Sequence, residues 1–391
     1  MHKQSFYRLH ALLEPYLNAH FFPKQGGKRC PKTNPYLIDT KLRLSIALRV
    51  FAGGSPLDIM VSHGVSFTSI FTSLWGVMAC VNKCPDLAFH FPTHEEQREI
   101  AEEFRKKSGA DFDCIIGAID GLLIWTLKPT LKLCRMMQCG EAQFKCSRKD
   151  KFGLNMQAIC DHELKFRWVE IKWPGCSSDF MAWCTSSLCH QMENNHVTNI
   201  LLEGMSLAGD NAYVKTMTMS VPLKGERQGY DDAYNFYLSQ LRITIERAFS
   251  VLVHRWSILR APLCFPITKI PSLMKCLCRL HNFCINEGKK MKKSERPSPQ
   301  MNDRDVSHIQ ELVNHSNRLY KNSQSRPQQI VQFNEDGSPV SLVGGGSHYG
   351  DAPINRRPID GECPMDRMRR KVEEMDLARP EVQGRKRKRK L

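Results

Sequence analysis

The sequence predicts a mixed α/β protein, a sheet with flanking helices preceded by a small all-α segment. Three observations carry that expectation. Residues 114–125 are almost continuously apolar, with β-branched Ile115, Ile116, Ile119 and Ile124, the composition of a strand buried on both faces. Residues 154–160 and 166–173 are two further short apolar runs joined through Asp161-His162-Glu163, a strand pair with a polar turn. Residues 231–256 place Tyr234, Leu238, Leu241, Ile245, Phe249, Leu252 and Trp256 at helical spacing, one long amphipathic helix.

Residues 1–40 contain Pro15, Pro23, Pro31 and Pro35 and are expected to be a loosely ordered arm with one short helix over 6–16. Residues 41–92 read as a helical domain. Leu42, Leu44, Ile46, Leu48, Val50 and Phe51 form a helix ending at Gly53-Gly54, Pro56 opens a second, and Ser66 caps a third after Gly64. That is the helix-turn-helix outline, and an ordinary small bundle satisfies the same pattern. The third helix, residues 66–81, carries no Lys or Arg, which leaves Ser69, Thr72 and Ser73 as a weak set for reading base edges. Thr93-His94-Glu95-Glu96 is a capping box opening a connector helix over 93–110.

The sheet domain is expected over 111–288. Asp120 falls in the middle of its first strand, sharing a face with Ile116, Ala118, Leu122 and Ile124 if side chains alternate. An ionised carboxylate there is costly unless it is paired or holds a metal; a neighbouring Arg or a strand-end turn would also serve. Gly117 and Gly121 lie on the opposite face, where close approach is possible. Residues 145–151 are a basic hinge, Pro174-Gly175 ends the second strand of the pair, and residues 178–190 read as helical. A short apolar run, 205–208, delivers Asp210 at its end. Glu246 sits one position off the stripe of the long helix.

Charge and composition bound the rest. The 391 residues carry a formal net charge of +16, unevenly spread. Residues 289–391 hold 22 Lys and Arg against 14 Asp and Glu, and their sparse apolar content predicts a disordered basic tail. It ends in Arg385, Lys386, Arg387, Lys388, Arg389 and Lys390, a block read as a nuclear-localisation or DNA-contacting signal. The overall balance favours nucleic acid or another polyanion as partner. Sixteen cysteines include no CxxC pair, and no signal peptide is expected, so reduced, buried thiols in an intracellular, soluble protein are predicted. No apolar run is long enough to span a membrane. His281 with Cys276, Cys278 and Cys284 is scattered around a helix, a pattern of a core helix rather than of a zinc site.

Three acids therefore occupy positions that a site uses: Asp120 inside a strand, Asp210 at a strand end and Glu246 on the long helix. Each also has a mundane role open to it, Asp210 capping a turn before Tyr213 and Glu246 pairing with Arg242 one turn earlier. Spacing does not join them. The joining comes from resemblance. Gly117-Ala118-Ile119-Asp120-Gly121, the stretch with Arg148, Lys149, Asn155, Gln157 and Asp161, Pro174-Gly175 with Asp179, Gly209-Asp210-Asn211-Ala212-Tyr213, the helix with Asn235, Arg242, Glu246 and Arg247, and Leu280-His281-Asn282 together resemble the DDE transposase domain of the PIF/Harbinger superfamily. Ser178 stands where that family commonly has His, Ser250 where it has Gly and His254 where Lys or Arg is usual.

The resemblance implies an RNase H-like fold with Asp120, Asp210 and Glu246 as catalytic, metal-binding residues. It implies two divalent ions, Mg²⁺ or Mn²⁺, that serve cleavage at transposon ends and strand transfer into target DNA. Asp179 would be accessory, and Arg148, Lys149, Arg242 and Arg247 would contact DNA. A nuclear location, a Myb-like DNA-binding partner and a homodimer or higher assembly follow by the same analogy. Two other classes stay open: a domesticated, catalytically silent DNA- or partner-binding nuclear protein, and an RNase H-like nuclease acting on RNA or hybrids.

Overall fold

In the computed structural model the described residues are 2–23, 38–224, 229–292, 332–333, 339–340 and 363–379. Five helices come first: α1 (Lys3–Phe21), α2 (Thr40–Phe51), α3 (Pro56–His63), α4 (Phe67–Lys83) and α5 (His94–Ser108). α1 differs from the expected loose arm. It runs unbroken through Pro15 and buries Leu9, Leu13 and Leu17, a spacing of four that stacks one apolar stripe against α2 and α4. α5 starts at a capping box in which the Thr93 hydroxyl accepts from the Glu96 amide and the Glu96 carboxylate accepts from the Thr93 amide.

α3 and α4 meet at 101° across a three-residue turn in which Gly64 is left-handed, with φ 62°. The helix-turn-helix expected here is not confirmed, and α4 is the centre of the bundle. Ile70, Ser73, Leu74, Val77, Met78, Cys80 and Val81 are buried, and Ser73 accepts from Arg43 instead of facing solvent. Only Phe67, Thr68, Thr72 and Lys83 of α4 are fully exposed.

The sheet follows. β1 (Ile115–Trp125), β3 (Lys151–Cys160) and β4 (Phe166–Pro174) form an antiparallel set, with short β2 (Lys145–Cys146) on the same edge of β3. β5 (Ser206–Ala208) and β6 (Met219–Ser220) pair parallel on the other side of β1, giving the order β4-β3-β1-β5-β6. α6 (Leu131–Met136) leaves the end of β1, and α7 (Asp179–Cys184), α8 (Ser187–Glu193) and α9 (Asn195–Thr198) link β4 to β5. The single helix expected over 178–190 is thus two, because Ser186 accepts from the Cys189 amide and starts a new one.

α10 (Gly229–Arg255) and α11 (Ile270–Lys292) complete the domain. α10 joins two cores. Its first half gives Ala233, Tyr234, Tyr237, Leu238 and Leu241 to a cluster with Ile115, Ile119, Ile159 and Trp183. Its second half gives Ile245, Ala248, Phe249 and Leu252, and the residue after it Trp256, to a cluster with Ala118, Ile124, Met156 and Ala158. The second cluster continues without a break into Leu9, Leu44, Phe51 and Leu74 of the N-terminal helices. Phe51 meets Trp256 edge-on, and the Asn82 amide donates to the Ser272 carbonyl. The helical segment expected as a separate unit is built onto one face of the sheet. No helix among the described residues is long and apolar enough to cross a membrane.

Part of the tail corrects the expectation of disorder. Two short strands, β7 (Gln332–Phe333) and β8 (Pro339–Val340), pair antiparallel, and α12 (Pro364–Glu374) docks on α10 and β6. α12 buries Met365, Met368 and Val372, each worth about 1.5–3 kcal/mol when removed fully from water. Around them Lys371 bonds Asp113 at 2.8 Å, Arg369 bonds Asp231 at 2.7 Å and Lys215 bonds Asp366 at 2.7 Å. These half-exposed pairs each add at most about 1 kcal/mol, so the three apolar residues carry the docking. Arg385 to Lys390 lie outside the described residues.

Candidate active site

Asp120 owes its place to register. β1 lies antiparallel to β3 with Asp120 opposite Ala158, and parallel to β5 with Ala118 beside Ala208. Two residues further along each parallel chain, Asp210 comes abreast of Asp120. The β5 end is shaped for this. Gly209 donates to the Ser220 carbonyl at 2.9 Å, and the Asp210 carboxylate accepts from the Ala212 amide at 2.8 Å, folding the turn toward Tyr213. Asp120 accepts from the Gly121 amide at 2.8 Å.

The two carboxyls are short of neutralising partners. Burial, then Asp210 and Asp179, push the Asp120 pKa up to about 8, against the opposing pull of Arg242. Asp210 is raised as well, by burial first; the Ala212 amide, Arg242 and Arg148 pull it back while Asp179 pushes it up. Desolvation together with like charge is the arrangement that favours protonation of one member of a carboxylate pair.

Asp179 reaches this cluster from the other face of the sheet. Ser178 caps α7 and sets Asp179 at its first position. Its Oδ1 accepts from Asn155 Nδ2 at 3.0 Å and Gln157 Nε2 at 2.9 Å. Gly121 makes the room, since a Cβ there would stand 1.8 Å from Asp179 Oδ1. Gln157 is the hub of the network. Its Nε2 also donates to Asn155 Oδ1 at 2.9 Å, and its Oε1 accepts from the buried Tyr213 hydroxyl at 2.6 Å. The sequence motifs named these residues without assigning the network; a Gly directly opposite a Gln, as Gly121 is to Gln157, was the available signal.

Glu246 comes from the junction between the two cores of α10, and its carboxylate lies 3.5 Å from Arg242 one turn earlier. Arg242 is half-buried, faces the charges of Asp120 and Asp210, and keeps its Nε buried without a hydrogen-bond partner. In the metal-free chain its charge therefore offsets those of the two aspartates. Among the described residues no three His, Cys, Asp or Glu groups are gathered closely enough to hold a metal ion.

Arg148 and Lys149, in the turn between β2 and β3, both bear on the aspartates. Arg148 offsets the charge of Asp210. Lys149, which keeps solvent access, has its pKa lowered by desolvation and by Arg148, with Asp120 and Asp179 acting in the other direction. Arg247 is exposed and its charge bears on Lys107, on the α5 side. It lies about 100° round the helix from Glu246, which pairs with Arg242. His281 is buried and bonds the Leu164 carbonyl at 2.9 Å, its pKa lowered to about 3 by burial and by Arg255. It is therefore a neutral donor. Asn282 exchanges two hydrogen bonds with the Phe166 backbone, holding α11 to β4.

Comparison with known proteins gives a family match over part of the chain. Residues 119–282, under half of its length, match the model of the DDE superfamily endonuclease family. The mixed sheet with its flanking helices is compatible with a DDE nuclease fold, and the match spans Asp120, Asp210 and Glu246. The chain is similar to the Arabidopsis thaliana protein Antagonist of like heterochromatin protein 1, with 22% identity over 64% of each chain. It is similar also to an Arabidopsis thaliana ALP1-like protein, with 22% identity over 69% of this chain and 66% of that one. The chain thus spans somewhat under two thirds of these relatives. No solved structure matches it.

Proposed function

We propose that the chain is a divalent-metal-dependent DNA endonuclease of the transposase type, with Asp120, Asp210 and Glu246 as its catalytic acids. The observation that carries this reading is Asp120 on β1 and Asp210, two residues past the end of β5, abreast of one another, both half-buried and both raised in pKa. Such a pair gains most from a hard cation, and an all-oxygen donor set suits Mg²⁺ or Mn²⁺. Two such ions, when bound, would activate the attacking oxygen and stabilise the leaving one.

The remaining steps belong to the chain. Asp120, whose pKa stands at about 8, would give up its proton so that both carboxylates can serve as ligands. Glu246 lets go of Arg242 to join them, and the freed guanidinium, already lacking a partner at Nε, turns to a phosphate oxygen. Arg148 and Lys149 hold the phosphodiester against the carboxylates, which supplies position rather than sequence. Asp179, locked by Asn155 and Gln157, holds its charge in place beside them. The attacking group is water during cleavage at element ends, and a freed 3′-hydroxyl during strand transfer into target DNA.

A second reading is a domesticated DNA- or partner-binding nuclear protein without catalysis. The Arg242–Glu246 pair favours it, because that pair satisfies the third acid with no metal. One relative's name sets it against a heterochromatin protein, and on that likeness both readings place this chain in the nucleus. A Myb-like partner and a dimeric or higher assembly belong to the transposase reading.

The deciding experiment incubates the full chain with Mg²⁺ or Mn²⁺ and DNA carrying the ends that flank this gene, alongside Asp120→Asn. Metal-dependent nicking that falls at least about 100-fold in the variant, on the scale of losing a main electrostatic group, is the expected result. DNA binding without cutting in both proteins would transfer the conclusion to the second reading.

A further inference from the structure

The chain leaves β1 through a segment whose surface does not resemble the rest of the molecule. Thr130 accepts from the Leu133 amide and starts α6. The inner side of α6 is anchored: Cys134 is buried, and Met137 joins the cluster that holds Ile124 and Ile245, with Leu133 and Cys139 packed against it. That is the face of the sheet that carries Asp120. The outer side is apolar and open. Leu127 is 52% exposed, Leu131 68% and Met136 66%.

Single exposed apolar side chains are ordinary, but these three stand among cations. Lys128, Lys132 and Arg135 alternate with them and are exposed. Between residues 127 and 151 there are seven Lys and Arg against two acids, Glu141 and Asp150. Both acids are engaged, Glu141 by Lys128 at 2.9 Å and Asp150 by Lys145 at 2.7 Å. Lys151 lies over the Trp125 ring at 3.9 Å, on the way from α6 to Arg148 and Lys149, whose charges bear on the aspartates.

A second exposed apolar group, Leu57, Val61 and Phe67 at α3 and α4, provides the control. Its neighbours Arg49 and Asp58 pair with each other at 3.3 Å, so no excess charge surrounds it. Of the two, the α6 surface is the one that combines apolar projections with a cationic rim that runs to the carboxylates. Charge complementarity selects a polyanion, and the apolar projections select one with stackable faces to offer. Apolar side chains inserted between base steps unstack and kink a duplex, while the cations beside them hold its phosphates.

We propose that Leu131 and Met136 form a wedge that enters DNA beside the cleavage site and opens its stack, with Lys132 and Arg135 seating the flanking phosphates. This rests on the nuclease reading and specifies the form in which DNA meets the site: kinked, with a strand pulled from the stack toward Asp120 and Asp210. A phosphodiester within a straight duplex would otherwise have to reach carboxylates recessed in the sheet.

The test uses the full chain and a short duplex carrying a fluorescent adenine analogue that brightens on unstacking. Wild type is expected to raise the fluorescence several-fold on binding. Leu131→Ala combined with Met136→Ala, both surface changes with little effect on folding, is expected to abolish at least about two thirds of that rise while the affinity falls less than about tenfold, the base-step contact being separate from phosphate binding. Lys132→Ala with Arg135→Ala should instead weaken binding and lower the salt slope by about one per cation removed. The double apolar variant is also expected to regain cutting on a flanking-end substrate with mismatches placed at the cleavage site. An unchanged rise in the double apolar variant overturns the wedge. If wild type cuts flanking-end DNA and the variant cuts paired and mismatched substrates equally well, the wedge falls and the nuclease reading stands. If wild type neither binds nor cuts DNA, both fall. Unaltered DNA responses with lost self-association in sedimentation would reassign the surface to a contact between copies.

Discussion

Asp120 lies in β1, Asp161 just past the end of its antiparallel neighbour β3, and the protein treats them in opposite ways. Asp161 is fully buried, yet every demand of its charge is met. One oxygen accepts the amides of Glu163 and Lys165 at 2.8 and 3.0 Å, and the other accepts Arg167 Nε at 2.8 Å. Asp120 is half-buried, receives one amide from Gly121 and faces the charges of Asp210 and Asp179. A carboxylate with local donors holds a turn together; a carboxylate left in deficit among its own kind marks a site that a cation or a proton must complete.

The largest effect expected from this contrast concerns Asp161. Asp161→Ala strips Arg167, itself 13% exposed, of its buried partner and leaves two turn amides unsatisfied. Breaking a buried pair from one side costs about 3–5 kcal/mol, so denaturant unfolding should shift by a large share of the roughly 5–15 kcal/mol a domain possesses. Asp120→Asn should cost nothing or stabilise the metal-free chain. Equal losses from the two substitutions would break the comparison.

A second, smaller effect is in pH. The folded Asp120 carboxyl binds its proton more tightly than the unfolded one, since its pKa stands at about 8, above the ordinary aspartate value. Its contribution to stability is therefore complete below the unfolded pKa and is lost as pH rises through about 8. Melting temperature measured across that window without metal should decline in wild type and be flatter in Asp120→Asn. Added Mg²⁺ or Mn²⁺ should restore wild type at the alkaline end by mass action and leave the variant unmoved. A slope that the variant shares fully would place the titrating group elsewhere.

Much of this contrast was legible in the chain. The strand around Asp120, the Phe166 strand, the capping box at Thr93 and α10 follow from strong local patterns that burial did not overrule. The i−4 spacing of Arg242 and Glu246 already contained the ion pair. Distant partners were not legible. α12 looks polar because only Met365, Met368 and Val372 serve its buried side, and its acidic partners Asp113 and Asp231 lie 258 and 138 residues away from Lys371 and Arg369. α1 was obscured by Pro15, which the helix accommodates. Asp179 came to the aspartates across the sheet, through a gap that depends on the missing side chain of Gly121 and that strand alternation alone does not reveal.

The smallest effect tests whether the Gln157 network positions Asp179 or merely fills space. Tyr213 is fully enclosed, and burial followed by the charges of Asp179, Asp120 and Asp210 raises its pKa well above normal. The phenol therefore stays protonated and donates to Gln157 Oε1 at any working pH. Tyr213→Phe keeps the ring and removes that donor, leaving a buried amide oxygen unpaired at a cost of about 1–3 kcal/mol. Gln157 Nε2 keeps Asn155 and Asp179 as acceptors, but with its oxygen end unanchored the amide is free to rock. Asp179 is then held less closely, so cleavage should fall while DNA affinity stays level. Gly121→Ala displaces the same carboxylate directly and should reproduce that split between turnover and binding. If Tyr213→Phe loses stability but cuts DNA at the wild-type rate, Asp179 belongs with Asp161 as a structural acid rather than with Asp120.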